Sequence, residues 1–113
     1  MPIIPTRVHA VLDYIVSAFV AALPFLFGVE GPLRWAFVAL GLFGAVYSLL
    51  TDYELGAVPV LPMRTHLMLD IVFILALLAL AVATPITGLR VVCIIAAVAA
   101  GLLVAFTRRA PAR

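Results

Sequence analysis

The sequence predicts an all-α protein: a bundle of four transmembrane helices built from two tandem helical hairpins. Of its 113 residues, 67% are hydrophobic and only 11% are charged, whereas a soluble domain averages about 25% charged residues. A chain this short cannot hide so much apolar surface from water. Four apolar runs are each long enough to cross a bilayer, and the lipid bilayer is therefore the expected surrounding of the chain.

A polar motif opens the first and third apolar runs. The motif at Pro5–Asp13 returns at Pro62–Asp70 with Pro, Arg, His, Leu and Asp at the same spacings. The chain therefore divides into two hairpin repeats, residues 1–56 and 57–113. Because each repeat holds two spans, both enter the membrane from the same side. We expect a pseudo-twofold axis along the membrane normal to relate them.

The span boundaries follow from proline and glycine. Pro5 suits the first turn of a helix, and Pro24 predicts a kink or an early end of the first span. The stretches Gly28–Pro32 and Thr84–Gly88 are turns by composition. The predicted spans are residues 6–27, 33–50, 63–83 and 89–107.

Small and aromatic residues have predicted places in this bundle. Gly41 and Gly44 lie three residues apart and favour close approach of another helix. The tryptophan and the three tyrosines are interpreted as an interfacial belt, because their rings prefer the depth at which one edge is wet. These belt residues are Trp35, Tyr14, Tyr47 and Tyr53.

The arginines predict the orientation. The face with both termini and the middle loop holds Arg7, Arg64, Arg108, Arg109 and Arg113, whereas the opposite face holds Arg34 and Arg90. The positive-inside rule then places both termini in the cytoplasm. A net charge of +2 is too small and too scattered for a nucleic-acid partner.

The repeated motif predicts one buried ionisable cluster. His and Asp four residues apart share a helix face, and each Asp lies about 12 Å along the helix from its motif proline. A carboxylate facing lipid near that depth costs about 2.5–3.5 kcal/mol. We therefore expect both Asp side chains to point into the bundle. The residues predicted to converge are His9, Asp13, His66 and Asp70.

Three interpretations of this cluster compete. In a structural one, each His bonds the Asp of its own helix, while Arg7 and Arg64 form ion pairs with Asp52, Glu54 and the two motif aspartates. In a second, the cluster binds or conducts a small ion or solute, or relays protons. In a third, the His and Asp groups bind Zn²⁺ or Fe²⁺, or His9 and His66 bind haem. Nearby arginines repel a cation, and we accordingly predict no metal and no cofactor.

The sequence predicts no enzyme and no catalytic residue. Ser17 lacks the arrangement of a nucleophile, no glycine-rich phosphate loop is present, and the single Cys93 reads as a core residue. The leading hypothesis is a small binding or permeation module, completed by homo-oligomerisation. The alternative is a structural scaffold or accessory membrane subunit whose polar cluster only fixes helix packing.

The chain resembles the SPW-repeat family of small bacterial membrane proteins, in which each repeat has two transmembrane helices and a late Ser-Pro-Trp signature. The matching stretches are Leu23–Gly28 and Thr84–Gly88, and similar members share the opening at Arg7–Tyr14 and the loop at Thr51–Gly56. The resemblance implies a multi-pass protein of the bacterial inner membrane. It implies no activity, and no catalytic residue carries over.

Overall fold

The structure is a computed structural model that describes residues 3–111. Within that range the chain forms four helices and no other long element. They are α1 (Thr6–Leu26), α2 (Pro32–Leu49), α3 (Met63–Ala83) and α4 (Thr87–Phe106). Each is long and apolar enough to cross a membrane. The all-α fold and the four spans are therefore confirmed, with ends within two residues of those predicted. Arg113 of the predicted basic tail lies outside the described residues.

Proline and glycine determine where the helices begin and end. Pro5 and Pro62 are extended residues that directly precede α1 and α3, and Pro32 opens α2. Gly28 and Gly31 have φ values of 67° and 70°, a left-handed conformation that favours glycine. Helix α1 continues only two residues beyond Pro24, in keeping with the early end predicted there.

The helices pack as two hairpins. Helix α1 packs mainly on α2, α3 mainly on α4, and α2 joins the hairpins by contacting α3. Helices α1 and α3 lie diagonally opposite, and within residues 3–111 their backbones do not approach closely. Fully buried apolar side chains fill the middle of the bundle, and they include Val20, Leu23, Phe37, Leu77, Leu89 and Cys93.

Two glycines bring α2 close to α1, as their spacing predicts. A Cβ atom at Gly41 would lie 2.6 Å from the main-chain oxygen of Ser17. A Cβ atom at Gly44 would lie 2.6 Å from Ser17 Oγ and 2.8 Å from the ring of Phe73. These distances are far inside van der Waals contact, so larger residues at either position would push the helices apart.

Two short backbone pairings hold the end of the bundle at which α1 and α3 begin. Ile4, just before α1, donates its N–H to Phe106 O (2.8 Å) and accepts from Arg108 N (3.0 Å). Leu61, just before α3, donates to Leu50 O and accepts from Asp52 N, both at 2.8 Å. The start of α1 is thereby fixed beside the end of α4, and the start of α3 beside the end of α2.

Candidate functional site

The four predicted residues form a buried cluster at this end of the bundle. His9 and His66 lie one turn into α1 and α3. Their main-chain N–H groups donate to Pro5 O and Pro62 O, both at 3.1 Å. One ligand-type atom from each of His9, Asp13, His66 and Asp70 lies within 4.8 Å of the others. Both histidines are fully buried, and the aspartate side chains are 10% and 9% exposed. The predicted convergence of the two motifs is therefore confirmed.

Each histidine contacts both aspartates. His9 Nε2 lies 2.8 Å from Asp70 Oδ2 and 3.1 Å from Asp13 Oδ1. His66 Nε2 lies 2.8 Å from Asp13 Oδ2 and 3.2 Å from Asp70 Oδ2. The shorter contact in each case crosses to the other helix. The predicted contact of each His with the Asp of its own helix is therefore present. A second contact accompanies it, because both side chains of a motif point toward the diagonal helix, where the other pair meets them.

Two threonines determine the proton positions on the imidazole rings. Thr107 Oγ1 lies 2.7 Å from His9 Nδ1, and Thr51 Oγ1 lies 2.7 Å from His66 Nδ1. Each threonine hydroxyl donates its own hydrogen to the main-chain oxygen four residues earlier, at 2.5 Å and 2.6 Å. The threonine oxygen must therefore accept, so each histidine donates from Nδ1. The Nε2 atoms are left facing the carboxylates.

Two tyrosines hold the carboxylates. Tyr47 donates to Asp70 Oδ1 at 2.5 Å, and Tyr53 donates to Asp13 Oδ2 at 3.0 Å. Only 6% of Tyr47 and 2% of Tyr53 is exposed, so their interpretation as interfacial belt residues was wrong. Burial raises the pKa of Tyr53, which lies in the loop after α2, and the neighbouring Asp13 carboxylate raises it further. The hydroxyl therefore stays a donor.

The sequence reasoning missed the two threonines and the two tyrosines. A signal for Thr51 and Thr107 was present, since each directly follows the last apolar residues of a second span in its repeat. A signal for the tyrosines is weaker, because a buried tyrosine needs a hydrogen-bond partner but the sequence does not state which tyrosine is buried.

The arginines lie outside the cluster. Arg7 and Arg64 are exposed, and the cluster carboxylates contact histidine and tyrosine instead. Each arginine precedes its histidine by two residues, which turns it about 200° away around the helix. Glu54, a predicted arginine partner, accepts a hydrogen bond from Thr6 Oγ1 at 2.6 Å. Ion pairs of the arginines with Asp52 and Glu54 stay a prediction.

A small cavity of about 30 Å³ adjoins the carboxylates. All four helices line it, and its walls include both aspartates and Tyr47. A cavity needs about 10–15 Å³ of such space to hold one water molecule. The cavity therefore has room for one water-sized group beside the two aspartates. Its lining residues are Asp13, Val16, Ser17, Tyr47, Asp70, Phe73, Ala100 and Leu103.

The charges of the cluster define what it can do chemically. Two carboxylates bring two negative charges into a buried site, and buried charges must be paired. Neutral imidazoles do not offset them. Two positive charges are required, supplied either by protons on the two Nε2 atoms or by a bound cation. The arrangement is therefore suited to holding positive charge.

Comparison of the chain with known protein families, with curated proteins and with solved structures gave no match. The resemblance to the SPW-repeat family stays a prediction. The division into repeats of residues 1–56 and 57–113 also stays a prediction.

Replacing Tyr47 by Phe should destabilise the protein. The change removes the donor to Asp70 Oδ1, and an unsatisfied buried acceptor costs about 1–3 kcal/mol. The free energy of unfolding, measured by denaturant titration in detergent micelles, checks this. The matched control is Tyr14→Phe, since Tyr14 donates to Leu55 O at the surface and its loss should cost less than about 0.5 kcal/mol. Equal losses in the two variants would contradict the assigned role.

Proposed function

We propose that this protein is a small membrane-embedded binding module that holds a cation between His9, Asp13, His66 and Asp70. The observation that carries the proposal is the convergence of two imidazole nitrogens and two carboxylates within 4.8 Å. Ionisable groups at membrane depth are costly, and they commonly mark ion or proton sites. Here the two negative charges face one point, where a cation stabilises both.

Binding is favoured over permeation by the packing beyond the cluster. From Val20 onward in α1, the interior is filled by fully buried apolar side chains, among them Leu23, Phe37 and Leu77. A cation crossing this region would need polar groups or water along its route. The occupant therefore enters and leaves at the end of the bundle that holds the cluster.

A structural scaffold is the second candidate function. One observation favours it: the histidines already donate to Thr51 and Thr107, and the aspartates already accept from Tyr47 and Tyr53. In that case two protons on the Nε2 atoms complete the charge balance, and the cluster only joins α1 to α3. Catalysis is not part of either candidate function, and we infer that the protein is not an enzyme.

The matched contacts at the end of the bundle support two hairpin repeats related by a pseudo-twofold axis along the membrane normal. The backbone pairing of Ile4 has a counterpart at Leu61, and the Thr107–His9 contact has one at Thr51–His66. This arrangement fits the proposed membership of the SPW-repeat family. The excess of arginine at this end supports a cytoplasmic position for the cluster and both termini, in a bacterial inner membrane.

A panel of cations tests the binding function. Purified protein in dodecyl maltoside is heated at several pH values and with Na⁺, K⁺, Mg²⁺, Mn²⁺ or Zn²⁺ added singly. At least one of these metal cations should raise the wild-type Tm at a fixed pH, because an occupant at 100 times its Kd stabilises by about 2.7 kcal/mol. The double variant Asp13→Asn/Asp70→Asn should lose the response, while Glu30→Gln, an exposed carboxylate, should keep it.

The same experiment separates the two candidate functions. If the cluster is only structural, the double variant loses about 1–3 kcal/mol for each orphaned partner, and no cation shifts the wild-type Tm. That result would reject the binding function. A site held at a stability cost predicts little loss, or a gain, in the variant without cation.

Thiol labelling tests the proposed orientation. In a Cys93→Ala background, Glu30→Cys lies in the α1–α2 turn and Ala57→Cys in the α2–α3 loop, and both positions are exposed. A membrane-impermeant maleimide added to intact cells should label the first and spare the second. Labelling of Ala57→Cys alone would contradict the proposed orientation and place both termini outside the cytoplasm.

A further inference from the structure

We infer that the cation taken by this cluster is a divalent transition-metal ion, with Zn²⁺ fitting best; the inference rests on the cation-binding function proposed above. The ligands are His9 Nε2, His66 Nε2 and one carboxylate oxygen each from Asp13 and Asp70. Four features of the cluster support this assignment: its donor set, its proton positions, its outer hydrogen bonds and its charge.

The donor set and spacing suit a four-coordinate ion. Imidazole nitrogen and carboxylate oxygen bind Zn²⁺ at about 2.0–2.2 Å, and the same mixture serves Fe²⁺ and Mn²⁺. Ligands of a tetrahedral ion with such bonds lie about 3.3 Å apart. The histidine Nε2 atoms lie 2.8–3.2 Å from the nearest carboxylate oxygens, which are both oxygens of Asp13 and Oδ2 of Asp70. One donor atom from each of the four residues lies within 4.8 Å of the others, so side-chain adjustments that bring these donors to the tetrahedral spacing would admit the ion.

The proton positions leave lone pairs directed into the cluster. Because Thr107 and Thr51 accept from the Nδ1 atoms, a neutral His9 or His66 has an unprotonated Nε2. His66 Nε2 is buried and lies 2.8 Å from Asp13 Oδ2 and 3.2 Å from Asp70 Oδ2. A bound ion would take the place of a proton on this nitrogen and contact both carboxylates.

Every ligand also has an outer hydrogen bond that orients it. Metal-binding histidines characteristically donate their second ring N–H to a neighbouring acceptor, and ligating carboxylates are themselves hydrogen-bonded. Thr51 and Thr107 supply the first kind of contact, and Tyr47 and Tyr53 the second. The outer contacts that such ligands need are therefore already in place.

Charge balance points to a divalent ion. Two carboxylates and two neutral imidazoles carry a charge of −2, which one divalent ion neutralises. From the sequence we predicted no metal, because neighbouring arginines would repel a cation. In the structure, however, Arg7 and Arg64 are exposed and turned away from the cluster. The cavity of about 30 Å³ beside both aspartates can hold a water ligand. Haem does not fit between the histidines, because the two carboxylates fill that space.

Titration with Zn²⁺ alone tests the assignment. Protein treated with chelator and returned to metal-free detergent buffer should bind one Zn²⁺ per chain, with a rise in Tm, whereas Mg²⁺ at the same concentration should have no effect. Co²⁺ in its place should give visible d–d absorption. The variants Thr51→Val and Thr107→Val keep the ligands and the side-chain size, and each should weaken Zn²⁺ affinity about 10–100-fold. His9→Ala/His66→Ala should abolish binding, and Glu30→Gln should match the wild type.

The outcomes distinguish this inference from the broader function. If wild-type protein ignores Zn²⁺ but is stabilised by a monovalent cation at a fixed pH, the transition-metal assignment fails and the cation-binding function stands. If no cation has any effect, both fail. Zn²⁺ binding with unchanged affinity in both threonine variants would place the ion elsewhere and overturn the assignment, even if the double histidine variant does not fold.

Discussion

Two carboxylates buried opposite two imidazoles constitute the interaction on which the rest of this structure depends. An ionised carboxylate without a partner is prohibitively costly in an apolar interior, so Asp13 and Asp70 can lie there only if positive charge lies with them. His9 and His66 bring donors within 2.8 Å across the bundle. The backbone pairings at Ile4 and Leu61, the glycine contacts of α2 and the proline starts of α1 and α3 all serve to place these four side chains.

The His–Asp cluster is also a contact that joins the two hairpins. Helices α1 and α3 have no close backbone contact within the described residues, yet their His and Asp side chains meet. Each imidazole ring is also held at its Nδ1 atom, which lies on the side away from the carboxylates. Thr107, after α4, accepts from His9, and Thr51, after α2, accepts from His66. Whatever supplies the positive charge therefore ties α1 and α4 to α2 and α3. Binding and folding are coupled in sites of this kind.

Much of the fold, and the centre of the site, could be predicted from the sequence. The apolar runs have the length a bilayer demands, and the His–Asp spacing places both groups on one face, so the four spans and the convergence of His9 and Asp70 followed. The predicted contacts of Arg7 and Arg64 with the two motif aspartates are not found among the described residues, because a residue two positions from a histidine lies on the opposite face of the helix. Tyr47 and Tyr53 could not be predicted as carboxylate donors, because their burial depends on how the end of α2 rotates against α3.

Nuclear magnetic resonance of protein labelled with ¹⁵N at histidine reports directly where the imidazole protons lie. Both imidazoles should carry a proton on Nδ1, seen as a one-bond coupling and shifted downfield by the hydrogen bonds to Thr107 and Thr51. Thr51→Val should alter the His66 signal and leave the Nδ1 proton of His9 in place. Rings protonated only at Nε2, with bare Nδ1 atoms, would rule out the threonine contacts and the cluster built on them.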